Sequence, residues 1–466
     1  MNTINKWAYS LILWLTGGCI ILCLGGCKKY LDYPFTNNVR IPTHLSDLQG
    51  LLDDAATMNE NRTPSFMETS SDDYFCLPER YAALDDWPKQ AYIWKPYDYR
   101  YPNDWAICYH PVYITNFCLD MSKSIERTPG NASDWDHVNG SAHFFRAYYF
   151  LKLAWTYALT YDEAKASSDK GIVLRLTSNY NDPSVRSSVA ETYKQIIQDA
   201  QRSANLLPNL PMHSYRPSKA AAYGLLARTY LSMRMYDSAY YYADQALTIK
   251  SDLINYNGDP DLGTLTINYP FKRFNKETVF YSEMNTTATQ SLILASRARI
   301  DSVLMTHYEP NDLRRTAYFT KSGNYYQFKG SYTQASRNFT GITTPELLLI
   351  RAECLARNAT NSPGNLQKAL ADLNNLLSKR YRTADFIPVT ADTREGALDR
   401  ILLERRKELL FRGLRWMDVK RLNKEGRNIV LRRQLDGTIY TLEPNASYYA
   451  LPIPIDIIEL TGIPQN

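Results

Sequence analysis

Two stretches of this chain hold the residue types with the most chemistry in them. In the first, Glu404, Arg405, Glu408, Arg415 and Asp418 set carboxylates beside guanidiniums, the raw material of general acid–base catalysis. Their spacing points elsewhere. Glu404 and Glu408 are four apart on one helical face, where each can pair with a neighbouring arginine. The expectation is therefore a structural ion-pair cluster, in a stretch that also holds Gly413 as a helix stop and Trp416. The second stretch, 85–105, interleaves Trp87, Trp94, Tyr97, Tyr99 and Tyr101 with Asp98, Arg100 and Asn103. Flat amphipathic rings beside amide and charged groups suit a ligand with C–H faces and hydroxyls, as a sugar has. Pro88, Pro96 and Pro102 argue against a long regular helix there, so the rings are expected on a stiff, binding-ready loop. The alternative is that Trp87 and Trp94 only anchor that loop. Asp72 and Asp73 in "SSDDYF", with Tyr325 and Tyr326, are secondary candidates. Trp105 is set apart as packed, because with Tyr109, Val112, Asn116 and Leu119 it continues a helical stripe.

Other chemistries find little support. His44, His110, His137, His143, His213 and His307 are scattered, without a paired His or a Cys/carboxylate cluster, so no metal site is expected. No phosphate-binding Gly-rich loop, dinucleotide fingerprint or Gly-x-Ser-x-Gly elbow occurs, and no cofactor is expected. A formal charge of +5, with no run of Lys/Arg to concentrate it, gives nucleic acid no footing. The unusual count is 36 tyrosines and 8 tryptophans in 466 residues, rings that suit amphipathic partners as well as packing.

The N-terminal segment speaks of location. Residues 7–24 are almost wholly apolar after Lys6 and run into Leu24-Gly25-Gly26-Cys27. An apolar residue followed by two small ones before a Cys resembles the lipobox of bacterial lipoproteins. The resemblance implies a signal peptide over residues 1–26 and acyl chains on Cys27, several of which anchor stably where one does not; a plain transmembrane anchor is the alternative. Four cysteines remain, Cys76, Cys108, Cys118 and Cys354. Cys108 and Cys118, about 15 Å apart on one helix, cannot pair.

The elements that must position these residues are mostly helices in pairs. "SKAAAYGLLARTYLSMRMYDSAYYYADQAL" places Leu226, Ala227 and Tyr230 on one helix and Ala239, Ala243 and Ala246 on the next, a spacing that resembles the tetratricopeptide unit. Residues 143–159 with 188–208, 344–358 with 366–380, and 394–413 with the segment after it give further pairs, about four in all. The fold class expected is mainly α: a helical-pair scaffold over about 137–250 and 344–424, with an irregular lobe over about 58–103 and 251–343. The lobe carries short strands such as "ETVFYSE" and "NYYQFKGSY". Residues 27–466 read as one domain, its array of pairs interrupted between 250 and 343.

Five motifs in order resemble the SusD/RagB family of outer-membrane nutrient-binding lipoproteins from Bacteroidota. They are Cys27-Lys28-Lys29-Tyr30-Leu31-Asp32 followed by Pro34, "HFFRAYYFLKLAWTY", "YRPSKAAAYGLLARTYL", "ERRKELLFRGLRWMDVKRL" and the ending "ALPIPIDIIELTGIPQN". Arg412 stands where the family commonly has an acid, and Leu414 where a polar residue is common. The resemblance implies a non-enzymatic, surface-exposed protein of the outer membrane. It would bind glycan and deliver it to a SusC-like TonB-dependent transporter. Oligopeptide as ligand, or a protein-interaction scaffold, are the alternatives.

Overall fold

Helices form where the sequence supplies both a cap and an apolar period. Ser188 accepts from the Glu191 N–H at 3.1 Å while the Glu191 carboxylate takes the Ser188 N–H at 2.8 Å, closing a capping box. Ser218 accepts from the Ala221 N–H at 3.2 Å and opens the next helix. In the computed structural model, which describes residues 42–285, 292–294, 296–358 and 364–466, the helices that matter below are α1 (Asp86–Tyr92), α2 (Asp104–Ser122), α3 (Ala132–Tyr157), α4 (Val189–Leu206), α5 (Lys219–Ser232), α6 (Tyr236–Ile249), α7 (Thr344–Arg357), α8 (Gly364–Leu377), α9 (Arg394–Glu408), α10 (Arg415–Asn423) and α11 (Ile455–Thr461). Cys27 and the segment before it lie outside the described residues. The chain divides into residues 1–43 and the unit His44–Asn466, to which all these helices belong.

The scaffold is a run of neighbours: α2 packs on α3, α3 on α4, α4 on α5, α5 on α6, α6 on α7, and α7 on both α8 and α9. The array expected to break between 250 and 343 is therefore continuous in space. The chain leaves it after α6, builds the lobe, and returns with α7 seated on α6. Small residues permit the close approach: Ala239, Ala243 and Ala246 are fully buried, and Tyr230 stacks on Tyr242 with centroids 5.6 Å apart. α3 is the hub, buried on all sides from Val138 onward. No described helix is long and apolar enough to cross a membrane.

Among the described residues the strands make only antiparallel two-stranded pieces. They are β1 (Tyr74–Cys76), β2 (Lys170–Val173), β3 (Arg186–Ser188), β4 (Thr278–Phe280), β5 (Ala298–Ile300), β6 (Phe319–Ser322), β7 (Tyr325–Phe328), β8 (Ile342–Thr343), β9 (Leu431–Leu435) and β10 (Thr438–Leu442), paired β1–β5, β2–β3, β4–β8, β6–β7 and β9–β10. The lobe has its own apolar core, with Tyr74, Tyr92, Phe271, Tyr281 and Tyr332 among its buried rings. The four described cysteines are free and buried.

Candidate functional site

The 85–105 stretch is packed rather than displayed. Residues 86–92 form α1, with Pro88 in its first turn, where a missing N–H costs no helical bond. The rings expected on an open loop turn inward: Trp94, Tyr97 and Tyr99 are buried in the main core, and Trp87 is half-buried against them. Their partners are remote in sequence. Phe66 meets Tyr99 at 4.8 Å and Trp87 at 5.9 Å. The Trp94 indole donates to the Ser70 carbonyl at 3.0 Å, and the Tyr99 hydroxyl to the Pro452 carbonyl at 2.9 Å. Burial of these apolar faces outweighs any use at the surface, so for Trp94, Tyr97 and Tyr99 the expectation of exposed stacking platforms is corrected. Asn103 is also buried. Its side-chain oxygen accepts the Ala106 N–H at 2.8 Å and caps α2. Of the five rings Tyr101 alone stands well out, 72% exposed; Asp98 is exposed too, as is Arg100, which grips Glu459 at 2.6 and 2.7 Å.

Asp72 and Asp73 are taken up inside the protein as well. Arg415 binds both oxygens of Asp72 at 2.7 and 2.9 Å, and Arg406 binds Asp73 at 2.7 Å. Burial acts to raise the Asp72 carboxyl, yet Arg415 and Arg406 together hold it well below the usual range. The acidic stretch is thus a clasp between the lobe and the motif helices.

The motif residues form a larger version of the same device. Arg314 reaches Glu404 at 2.7 Å and Glu408 at 3.1 Å; Arg380 bridges Glu408 at 2.8 Å and Glu277 at 2.7 Å. Lys407 reaches Asp312 at 2.9 Å, and Asp418 sits between Arg405 and Arg421 at 2.8 Å each. Glu404 and Glu408 have no solvent access, and every oxygen they would need for proton transfer is held by a cation. Gly413 is not the stop of α9, which ends at Glu408. It sits five residues on with φ +66°, and its N–H donates to Glu68 at 2.8 Å. Trp416 is buried against Tyr449 at 4.7 Å.

Open rings do occur on the lobe. In the β1–β5 register Tyr74 and Cys76 point to the core and Phe75 points away. In the β6–β7 hairpin the two-residue turn Gly323-Asn324, with Gly323 at φ +59°, sets Ser322 opposite Tyr325. Phe75 and Tyr325 meet edge to face, centroids 5.1 Å apart, and Tyr325 remains 37% exposed. Next to it the Tyr326 hydroxyl accepts from Arg315 at 3.2 Å, with the guanidinium 5.5 Å from the ring. Among the described residues no group of three His, Cys, Asp or Glu could hold a metal ion.

Sequence reasoning passed over Asp104. Its carboxylate takes the Ser65 and Phe66 N–H groups at 2.8 Å each and the Asn285 amide at 2.9 Å. Burial raises it to about 6 against those donors. The signal was the Asn103-Asp104 pair opening an apolar-periodic run, a helix start.

Two family profiles match the chain. One, SusD-like and described as starch-binding and associating with the outer membrane, covers residues 28–231; the other, the SusD family, covers 264–459. The chain belongs to the SusD family. Solved SusD-like structures share the fold at low identity. A putative sugar binding protein from Bacteroides vulgatus is 19% identical, with a TM-score of 0.73 over 92% of this chain and 99% of that one. A SusD superfamily protein from Bacteroides thetaiotaomicron is 19% identical, with a TM-score of 0.72 over 91% and 99%. A SusD-like carbohydrate binding protein from Bacteroides vulgatus is 18% identical, with a TM-score of 0.63 over 90% and 97%. No curated protein is similar enough to match.

The departure from the SusD pattern at Arg412 has a structural counterpart. The Arg412 guanidinium lies 4.1 Å from the Tyr332 ring and 5.3 Å from Phe339, so the cation is held by ring faces. Leu414, in place of a polar residue, is buried in the core.

Proposed function

We propose that this protein is a lipid-anchored glycan-binding protein on the outer face of the outer membrane, which captures oligosaccharide and hands it to a SusC-like TonB-dependent transporter. Membership of the SusD family carries the reading, because that family is one of sugar-binding proteins associated with the outer membrane. Anchoring in this reading is through Cys27. The ligand meets the lobe at the exposed ring of Tyr325 and the half-buried Phe75, with Tyr326 and Arg315 beside them; Tyr101 is the one exposed ring of the 85–105 stretch. Binding without turnover is supported by Glu404 and Glu408, which are sealed from solvent and bound by arginine and lysine.

Calorimetry against neutral oligosaccharides and, in parallel, oligopeptides tests the ligand class. Tyr325→Ala should weaken glycan binding about tenfold, the scale of one lost aromatic contact, at unchanged Tm. Peptide binding in the absence of glycan binding would replace the ligand class. Cys27→Ala should release the protein from the membrane fraction, and co-purification of the transporter with the native protein tests delivery.

A further inference from the structure

On the scaffold a second concave surface lies between α2 and the segment after β2, closed on a third side by Ile457, Thr461 and Ile463 around α11. Its volume is about 300 Å³, the lower end of the range for small-molecule clefts, room for one or two sugar rings. We propose that this cleft is a carbohydrate site in its own right, taking a neutral pyranose ring against its aromatic wall.

The wall is built from α2. Trp105 forms the floor, 4.9 Å from Tyr109 and edge-on to Tyr157 at 5.1 Å, and the Tyr109 hydroxyl is fixed by donating to the Val173 carbonyl at 2.7 Å. One turn further on, Tyr113 is 46% exposed at the rim. Across the opening stands Tyr180, 83% exposed. Such rings offer the faces on which sugar C–H groups stack.

The loop that presents Tyr180 is heavily braced. Asn116 on α2 donates to the Arg175 and Thr177 carbonyls at 2.8 and 3.1 Å. Asp120 accepts the Ser178 N–H at 2.7 Å and its hydroxyl at 2.9 Å. Asp182 accepts the Asn179 amide at 2.7 Å and the Thr177 hydroxyl. Six hydrogen bonds thus hold a short polar loop whose tip is a ring in solvent, and a ring held this way loses little entropy on binding. The same bonds decide the ligand's charge. Asp120 and Asp182 are both engaged within the protein, and Arg175 donates to the Asp182 main-chain carbonyl and the Ser184 hydroxyl. The cleft therefore offers no free carboxylate to a cation, while Asn179 and the hydroxyls at the rim suit sugar hydroxyls.

The location follows from geometry alone, whereas the ligand class rests on the glycan reading above. The test is calorimetry with maltohexaose, cellohexaose, xylohexaose and mannohexaose on wild type, Tyr325→Ala, the Tyr113→Ala/Tyr180→Ala double variant and Ala106→Trp, which fills the cleft from α2 while keeping both tyrosines in the chain. At unchanged Tm, the double variant should lose about tenfold in affinity for at least one hexasaccharide. Ala106→Trp should abolish that component and Tyr325→Ala should leave it intact. If a hexasaccharide binds wild type and both cleft variants equally well, the cleft is not a site and the lobe reading stands. If none of the four binds wild type, the cleft proposal falls together with the glycan reading.

Discussion

Glu353, buried on α7, is a charge whose neighbours decide its state. Arg421 binds its two oxygens at 2.6 and 2.8 Å, and Arg357 lies at 2.9 Å. Burial pushes the carboxyl up, but Arg421 and Arg357 outweigh it and hold it at about 2, below the ordinary value of about 4.3. A carboxyl with a depressed folded value stabilises the fold above its unfolded value and loses that contribution as pH falls through the folded one. The gap is worth about 3 kcal/mol at neutral pH. Glu353→Gln should therefore lower the urea midpoint at pH 7 and flatten the fall in stability between about pH 4.5 and 2. Asp199, held at about 2 against burial by His143 and Arg146, should leave part of that fall in place. Parallel curves for variant and wild type across the window would sink the assignment.

At the scale of elements, the β9–β10 hairpin shows how the lobe is fastened. Arg433 on β9 donates to the Thr69 carbonyl at 3.2 Å and to those of Ser71 and Tyr74. Its guanidinium also lies 4.3 Å from the Tyr92 ring and 5.4 Å from Trp94. Arg433→Met keeps the stem and removes every donor. With three buried carbonyls unpaired, stability should fall by about 3 kcal/mol or more. Amide exchange should quicken across Leu431–Leu442 while α3 stays protected; a hairpin exchanging at the wild-type rate would show that strand pairing alone holds it. None of this could be read from sequence, and the reason is general to the lobe. The paired helices were legible because small and apolar residues recur at helical spacing, and the Trp105 stripe was placed in the core by the same rule. The rings of 85–105 have no period. Whether such a ring is shown or buried depends on Phe66, Ser70 and Pro452, which only the folded chain brings to it. The cleft was hidden for a like reason: "TSNYND" reads as an ordinary polar loop until Asn116 and Asp120 of α2 are set beneath it.

At the scale of the whole molecule, separate apolar cores are tied by charge. The scaffold core, the lobe core and a third core between α7, α8 and α9 are distinct clusters. Arg380 joins Glu277 of the lobe to Glu408 of α9, Arg314 of the lobe reaches Glu404 and Glu408, and Arg228 of α5 binds Glu346 at 2.6 Å and the Gly341 carbonyl at 2.7 Å. Buried ion pairs add little net energy over apolar packing, but removing one partner strands the other at a cost of about 3–5 kcal/mol. Here they bridge the lobe to the scaffold helices. The two should then unfold together, so that amides of the β6–β7 hairpin in the lobe and of α3 in the scaffold lose protection through one urea transition. Glu408→Ala leaves Arg314 and Arg380 short of an anion, and should lower the midpoint by an amount worth about 3–5 kcal/mol. Because Glu408 has no solvent access and does not line the α2 cleft, glycan affinity of the folded fraction should not change. If the lobe amides of that variant lose protection first while those of α3 keep theirs, the clasp at Glu408 is what makes the molecule cooperative. If wild type already melts in two steps, the lobe is an independent unit and the ion network serves only local order.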